Sequence, residues 1–130
     1  MIADTSAVLA ILFGEEDSDA YATAIAASSA CRMSVASLLE ASIVLETRGG
    51  HAAARELDSF VEAAGIELAP VSTEQAQAAR QAWRLFGRGN HPAGLNFGDC
   101  FAYALASVTG EPLLFKGGDF AQTDIPSGLP

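Results

Sequence analysis

Short apolar runs alternate along this chain with longer stretches in which apolar residues return every three or four positions. Met1 to Ala3, Arg32 to Val35, Ile66 to Leu68 and Pro112 to Phe115 are too short for helices and predict buried strands. Helical spacing runs through Val8, Leu9, Ile11 and Leu12 until Gly14, with Asp4-Thr5-Ser6 available to cap it. Glu15 to Ser29 predicts a second helix whose acidic first turn suits the helix dipole. A third starts at Ser34 or Ser37, runs to Thr47 and stops at Gly49-Gly50, and His51 to Ala64 is a fourth, closed by Gly65. Thr73 to Phe86 follows, with Thr73 as N-cap and Ala76, Ala79, Ala82, Trp83 and Phe86 available for packing. After a Gly/Pro/Asn loop from Gly87 to Leu95, Asn96 starts a last helix that runs to Thr109 and ends at Gly110. Buried strands alternating with helices imply a parallel sheet covered on both faces, in one α/β domain over residues 1–130.

Four carboxylates interrupt this pattern. Asp4 ends the first strand, and Glu40 breaks Ser37-Leu38-Leu39-Glu40-Ala41-Ser42-Ile43-Val44-Leu45. Asp99 opens the apolar run Cys100 to Ala106, and Asp119 follows Gly117-Gly118 after the last strand. Structural roles are open to each: Asp4 as a cap, Asp99 as the N3 acid of a helix capped by Asn96, Asp119 as a turn residue and Glu40 as the partner of a buried arginine. Glu40, with Ala36, Ile43 and Val44 at helical spacing, is expected on a buried face, where an unpaired carboxylate is costly.

In a parallel α/β sheet the carboxyl ends of strands and the helix N-termini beside them share one edge, which sends these acids together. Two ionised carboxylates ~4 Å apart repel by roughly 4 kcal/mol at an effective dielectric of ~20, so a cation is expected between them. Oxygen ligands without histidine or thiolate favour Mg²⁺ or Mn²⁺ over zinc, and hydrolysis of a phosphodiester is the chemistry such a centre serves.

Composition changes the picture only in places. A chain of 130 residues that is 50% hydrophobic and 18% charged can bury a core without disulfides, so Cys31 and Cys100 are expected as buried reduced thiols. No apolar run approaches the ~20 residues a membrane helix needs, and the N-terminus lacks a signal peptide's basic flank, so a cytoplasmic protein is expected. A net charge of −9 argues against avid, non-specific binding of nucleic acid. Arg80, Arg84 and Arg88 nonetheless recur at i, i+4 and i+8, either a solvated face or a phosphate-steering edge. His51 and His91 sit in surface contexts, Trp83 and the phenylalanines read as core, and no P-loop or G-x-G-x-x-G is present.

In order and spacing, Met1-Ile2-Ala3-Asp4-Thr5-Ser6-Ala7, mid-helix Glu40, Asn96-Phe97-Gly98-Asp99-Cys100 and Leu114-Phe115-Lys116-Gly117-Gly118-Asp119-Phe120 resemble a PIN domain across essentially the whole chain. More narrowly they resemble VapC, the ribonuclease toxin of type II toxin–antitoxin systems, and His91 to Asn96 is similar to the approach to the third acid in one subgroup. The resemblance implies a PIN-like three-layer sandwich with a five-stranded parallel sheet, and Mg²⁺- or Mn²⁺-dependent endonucleolytic cleavage of structured RNA, tRNA or rRNA. It carries the catalytic role to Asp4, Glu40, Asp99 and Asp119, with Asp4 and Asp99 as direct metal ligands and Glu40 either binding the ion through water or helping to orient the attacking water. Relatives often carry a further acid where this chain has Gly117 and Gly118. The resemblance also implies a homodimer and a cognate VapB-like antitoxin, forming a heterotetramer or larger assembly with apolar residues docked near Ile11, Leu12, Ile43 and Val44. Two other readings compete: a Mg²⁺-dependent phosphatase with Asp4 as nucleophile, although Ser6 stands where its second aspartate would be, and a catalytically inactive partner-binding module.

Overall fold

Four strands, β1 (Ile2–Ala3), β2 (Arg32–Ser34), β3 (Glu67–Ala69) and β4 (Leu113–Leu114), pair in parallel in the order β3-β2-β1-β4 in a computed structural model that describes residues 1–130. Side chains alternate across each strand: Ile2 and Leu113 enter one apolar cluster, Ala3 and Leu114 the other. That alternation makes three layers. Helices α1 (Thr5–Leu12), α2 (Ser18–Ala27) and α3 (Val35–Ala63) cover one face through Val8, Ile25, Leu45 and Leu57. Helices α4 (Thr73–Phe86) and α5 (Phe97–Thr109) cover the other through Ala82, Tyr103 and Leu105.

The expected fifth strand is absent. In its place the tail makes one isolated parallel bridge, Leu113 to Ser127, held by Leu113 N–H to Pro126 O at 2.9 Å and Gly128 N–H to Leu113 O at 2.7 Å. Pro126 and Pro130 bring no N–H to a ladder, so pairing cannot extend from the bridge. The two helices expected either side of Gly49-Gly50 form one element, α3, broken at Gly50, where φ of 71° and ψ of −168° leave the helical region. The N-cap of α4 is Ser72 rather than Thr73, with Ser72 Oγ accepting from Gln75 N–H at 3.1 Å.

Strand order places the site. Crossovers from β1 lead outward through β2 to β3, and β4 then returns on the opposite side of β1. The crevice beyond the carboxyl ends of β1 and β4 is therefore the topological switch point, where parallel sheets bind ligands. Helices α1 and α3 start at that edge, directly after β1 and β2, and the start of α5 joins them.

Candidate active site

Asp4 is fixed from two directions. Its N–H donates to Leu114 O at 2.9 Å, tying it to β4, while its side chain caps α1. Oδ2 accepts from Ser6 N–H at 3.0 Å and from Ser6 Oγ at 2.6 Å, and Ser6 Oγ in turn accepts from Lys116 N–H at 2.9 Å. The residue is 3% exposed. Burial pushes the carboxyl up to about 6; the Ser6 hydrogen bonds oppose this, and the charges of Asp99 and Glu40 add to it. Its second oxygen, Oδ1, accepts no hydrogen bond.

Asp99 is the N3 residue of α5 and completes a capping box. Asn96 Oδ1 accepts from Asp99 N–H at 2.9 Å, and Asp99 Oδ2 accepts from Asn96 N–H at 3.0 Å. The structural role open to Asp99 in the sequence is thus filled, yet Oδ1 stays free. Partial burial raises its pKa first, the Asn96 bond opposes it, Glu40 and Asp119 raise it further, and Arg88 favours the ionised form.

Glu40 departs from expectation. Ser37, Ala41 and Leu45 are the buried positions of this part of α3, leaving Glu40 half-buried at their rim, while Leu39 and Ile43 are 61% and 55% exposed. Apolar residues occur on nearly every side of this stretch, so spacing alone could not identify its inner face. Glu40 has no hydrogen bond or ion pair. Its carboxylate lies against the first turn of α5, where a Cβ added to Gly98 would sit 2.7 Å from Glu40 Cδ. Gly98 therefore admits the carboxylate beside Asp99. Asp119 is outermost: exposed, at the start of a 3₁₀ turn (Phe120–Gln122), without a side-chain hydrogen bond, and close enough to act on Asp99.

The supporting roles of three residues, Ser6, Lys116 and Gly98, escaped the sequence reading, which placed Ser6 only among the capping residues. The Asp-x-Ser spacing at an N-cap was the available signal for Ser6. Lys116 holds Glu15 and, at 2.9 Å, Asp17, which fastens the loop leading to Asp119 and raises the Lys116 pKa. Nothing in sequence marked Gly98 as a neighbour of Glu40. The arginine stripe is shorter than expected, because α4 ends at Phe86 and Arg88 lies beyond the Gly87 turn. Trp83 and Phe97 are not core residues, being 48% and 79% exposed. His51 contacts Glu46 on the surface, and His91 accepts from Ala93 N–H within its loop. Both cysteines are buried and free.

None of the seven cationic side chains forms an ion pair with the four acids. The acids as they stand do not gather three ligands into a ready-made cage. An all-oxygen set with free carboxylate atoms on Asp4 and Asp99 fits a hard divalent cation that keeps most of its waters.

The PIN domain family profile matches residues 1–126. Ribonuclease VapC30 of Mycobacterium tuberculosis is 49% identical over 125 residues, covering 96% of this chain and 95% of that protein. The crystal structure of Mycobacterium tuberculosis VapC20, described as a sarcin–ricin loop cleaving toxin, superposes with a TM-score of 0.79 at 20% identity over 99% of this chain and 98% of that one. A toxin–antitoxin complex from Klebsiella pneumoniae shares the fold with a TM-score of 0.69 at 15% identity, covering 95% of this chain and 92% of its counterpart.

Proposed function

The chain belongs to the PIN-domain family and within it to the VapC ribonucleases, and on that footing we propose that Asp4, Glu40, Asp99 and Asp119 form its RNA-cleaving centre. The observation that carries this reading is the meeting of Asp4, Glu40 and Asp99 at the switch point with no ion pair to any of them. Residues 1–130 act as one catalytic domain.

Mg²⁺ or Mn²⁺ held by Asp4 and Asp99 would supply charge stabilisation at a phosphate oxygen and acidify a water. The chain's own groups do the rest. Ser6 fixes the orientation of Asp4, and the capping box fixes that of Asp99. Glu40, with both oxygens unpartnered, orients the attacking water and accepts its proton. Asp119 guards the outer side of the site on a loop anchored by Lys116.

The substrate in this reading is a structured RNA, tRNA or rRNA, in keeping with the sarcin–ricin loop named for VapC20. A VapB-like antitoxin is the second partner. Exposed Leu39 and Ile43 on α3, beside half-buried Ile11, Leu12 and Val44, offer apolar anchors for such a segment. The working assembly is a homodimer, and a heterotetramer or larger with antitoxin. No helix is long and apolar enough to cross a membrane, and the reading places the protein in the cytoplasm.

Incubation with structured RNA should give endonucleolytic products with Mg²⁺, none with EDTA, and none with the Asp99→Asn variant. Products that persist in EDTA would overturn the metal-dependent reading, and a trapped aspartyl phosphate on Asp4 would replace it with a phosphatase.

A further inference from the structure

Arg88, the last arginine of the stripe at i, i+4 and i+8, is the one the fold sets apart. Helix α4 ends at Phe86, and the loop that follows returns to pair Gly87 with Leu95 in an isolated parallel bridge. Leu95 N–H donates to Phe86 O and Arg88 N–H to Leu95 O, both at 2.9 Å. Asn90 N–H and His91 N–H both donate to Gly87 O, at 2.9 and 3.1 Å, and Asn90 Nδ2 donates to Trp83 O at 3.1 Å. The loop is thus fastened at its base and across its middle. Its base is also tight: a Cβ added to Gly87 would lie 2.4 Å from Trp83 O. This register sets the Arg88 backbone beside Asn96, the N-cap that the capping box joins to Asp99. From there the Arg88 guanidinium is close enough for its charge to act on Asp99.

The chain has only seven cationic side chains, and most are engaged elsewhere. Arg32 and Lys116 pair with carboxylates, Arg48 lies 4.7 Å from the centroid of Phe13, and Arg80 donates to Gln77. Arg88 is exposed, and only Arg32 and Arg80 among the arginines donate side-chain hydrogen bonds. It forms no ion pair either, although Asp99 is near. Exposed ion pairs contribute little to stability, so leaving Arg88 unpaired costs the fold almost nothing. It keeps free a donor that the acid centre needs. Four carboxylates outnumber the charge of one divalent ion, so a phosphodiester anion reaching them meets net negative charge. A transition state that adds negative charge to the non-bridging oxygens meets it more strongly. A guanidinium offers paired N–H donors that match two phosphate oxygens, and it does not lose its proton.

We propose that Arg88 binds the non-bridging oxygens of the phosphodiester being cleaved and holds the charge that grows on them. The proposal rests on the ribonuclease reading and adds the cation of the chain that meets the reacting phosphate. In the step it serves, a water oxygen bonds to phosphorus as the bond to the departing ribose oxygen breaks. Glu40 accepts the proton of that water, the departing oxygen takes one from solvent, and Arg88 gives up none. The added charge exists only in the transition state, so Arg88 raises the rate of the bound complex more than its affinity for RNA. A structural role would show instead in stability, and a steering role in affinity and its salt dependence.

Single-turnover cleavage is measured with the full chain, Mg²⁺ and a structured RNA that it cuts, at rising protein concentration. Arg88→Ala should lower the saturating rate about a hundredfold and move half-saturation less than about threefold, with melting temperature unchanged. Arg88→Lys should recover part of that loss, since an ammonium keeps the charge but not the paired donors. A second measurement needs no cleavage. The nitrogen NMR signal of Arg88 Nε, identified by its loss in Arg88→Lys, is followed as dimethyl phosphate is added in Mg²⁺. It should shift to saturation while the Arg84 signal stays in place. An unchanged saturating rate with half-saturation alone affected makes Arg88 a steering cation and overturns the proposal. A melting temperature that falls along with the rate, or an Arg88 signal that ignores dimethyl phosphate, overturns it too. A shifted Arg88 signal in a protein that cuts no RNA upholds the phosphate contact and sinks the ribonuclease reading; cleavage indifferent to Arg88→Ala does the reverse.

Discussion

The two ends of the sheet treat carboxylates in opposite ways. At the amino end Glu111, just before β4, lies between Arg32 and the Met1 amine, the latter at 2.6 Å, and its pKa falls because hydrogen bonds to both cations favour the ionised form. At the carboxyl end Asp4, Asp99 and Glu40 influence one another and none is ion-paired, and burial lifts Asp4 to about 6. The contrast separates acids paired within the fold from acids left without an ion pair, the ones to which the proposed function gives the chemistry. Asp4 and Asp99 also serve as caps, yet each keeps one oxygen free, so a structural role does not exclude a chemical one.

The largest effect expected from that contrast is catalytic. Asp4→Asn should lower the rate of RNA cleavage by about three orders of magnitude, since ligand loss removes several kcal/mol of charge stabilisation. The same substitution should raise the melting temperature of the metal-free protein at pH 7. A rise of about two pH units at about 1.36 kcal/mol each amounts to roughly 3 kcal/mol of buried-charge penalty removed. Retention of a tenth of the activity, or a lower melting temperature, would erase the distinction between the two ends.

A smaller effect tests how closely the acids are packed. Gly98→Ala should displace only the flexible Glu40 carboxylate, since that is what the new Cβ would meet. Cleavage should fall about ten- to a hundredfold with melting temperature nearly unchanged, and Glu40→Gln should behave alike. Unchanged cleavage in Gly98→Ala would show that Glu40 need not rest against α5.

The smallest effects are in pH. Asp4 has a raised folded pKa, so in metal-free protein its contribution is fully present below about pH 4 and is lost as pH rises towards about 6. The melting-temperature advantage of Asp4→Asn should therefore shrink on acidification from pH 7 to 4.5. Glu111 has a lowered folded pKa, so its contribution is present above the ordinary value of about 4.3 and is lost as pH falls through the folded pKa below it. Glu111→Gln should cost about 1 kcal/mol or less at pH 7, the pair being partly exposed, and that loss should vanish well below pH 4. Parallel pH profiles for the two variants would contradict the opposed environments.

Much of this was legible in the sequence because it is local. The capping box of Asn96 and Asp99, the cap at Asp4, the stop at Gly110 and the break at Gly50 depend on neighbours a few positions away. Alternating buried strands and helices were enough for a covered parallel sheet, and the order and spacing of the four acids pointed to the family. What could not be read depends on which faces meet. The inner side of α3 around Glu40, the exposure of Trp83 and Phe97, the resting place of Glu40 on Gly98 and the loss of a fifth strand to a proline-flanked bridge are set by packing between segments far apart in the chain. Sequence determined which acids this protein has and where along its elements they fall. Tertiary structure alone decided that they meet without an ion pair, because strand order brings the end of β1 and the starts of α3 and α5 to one edge and sends Arg32 and Lys116 to other carboxylates.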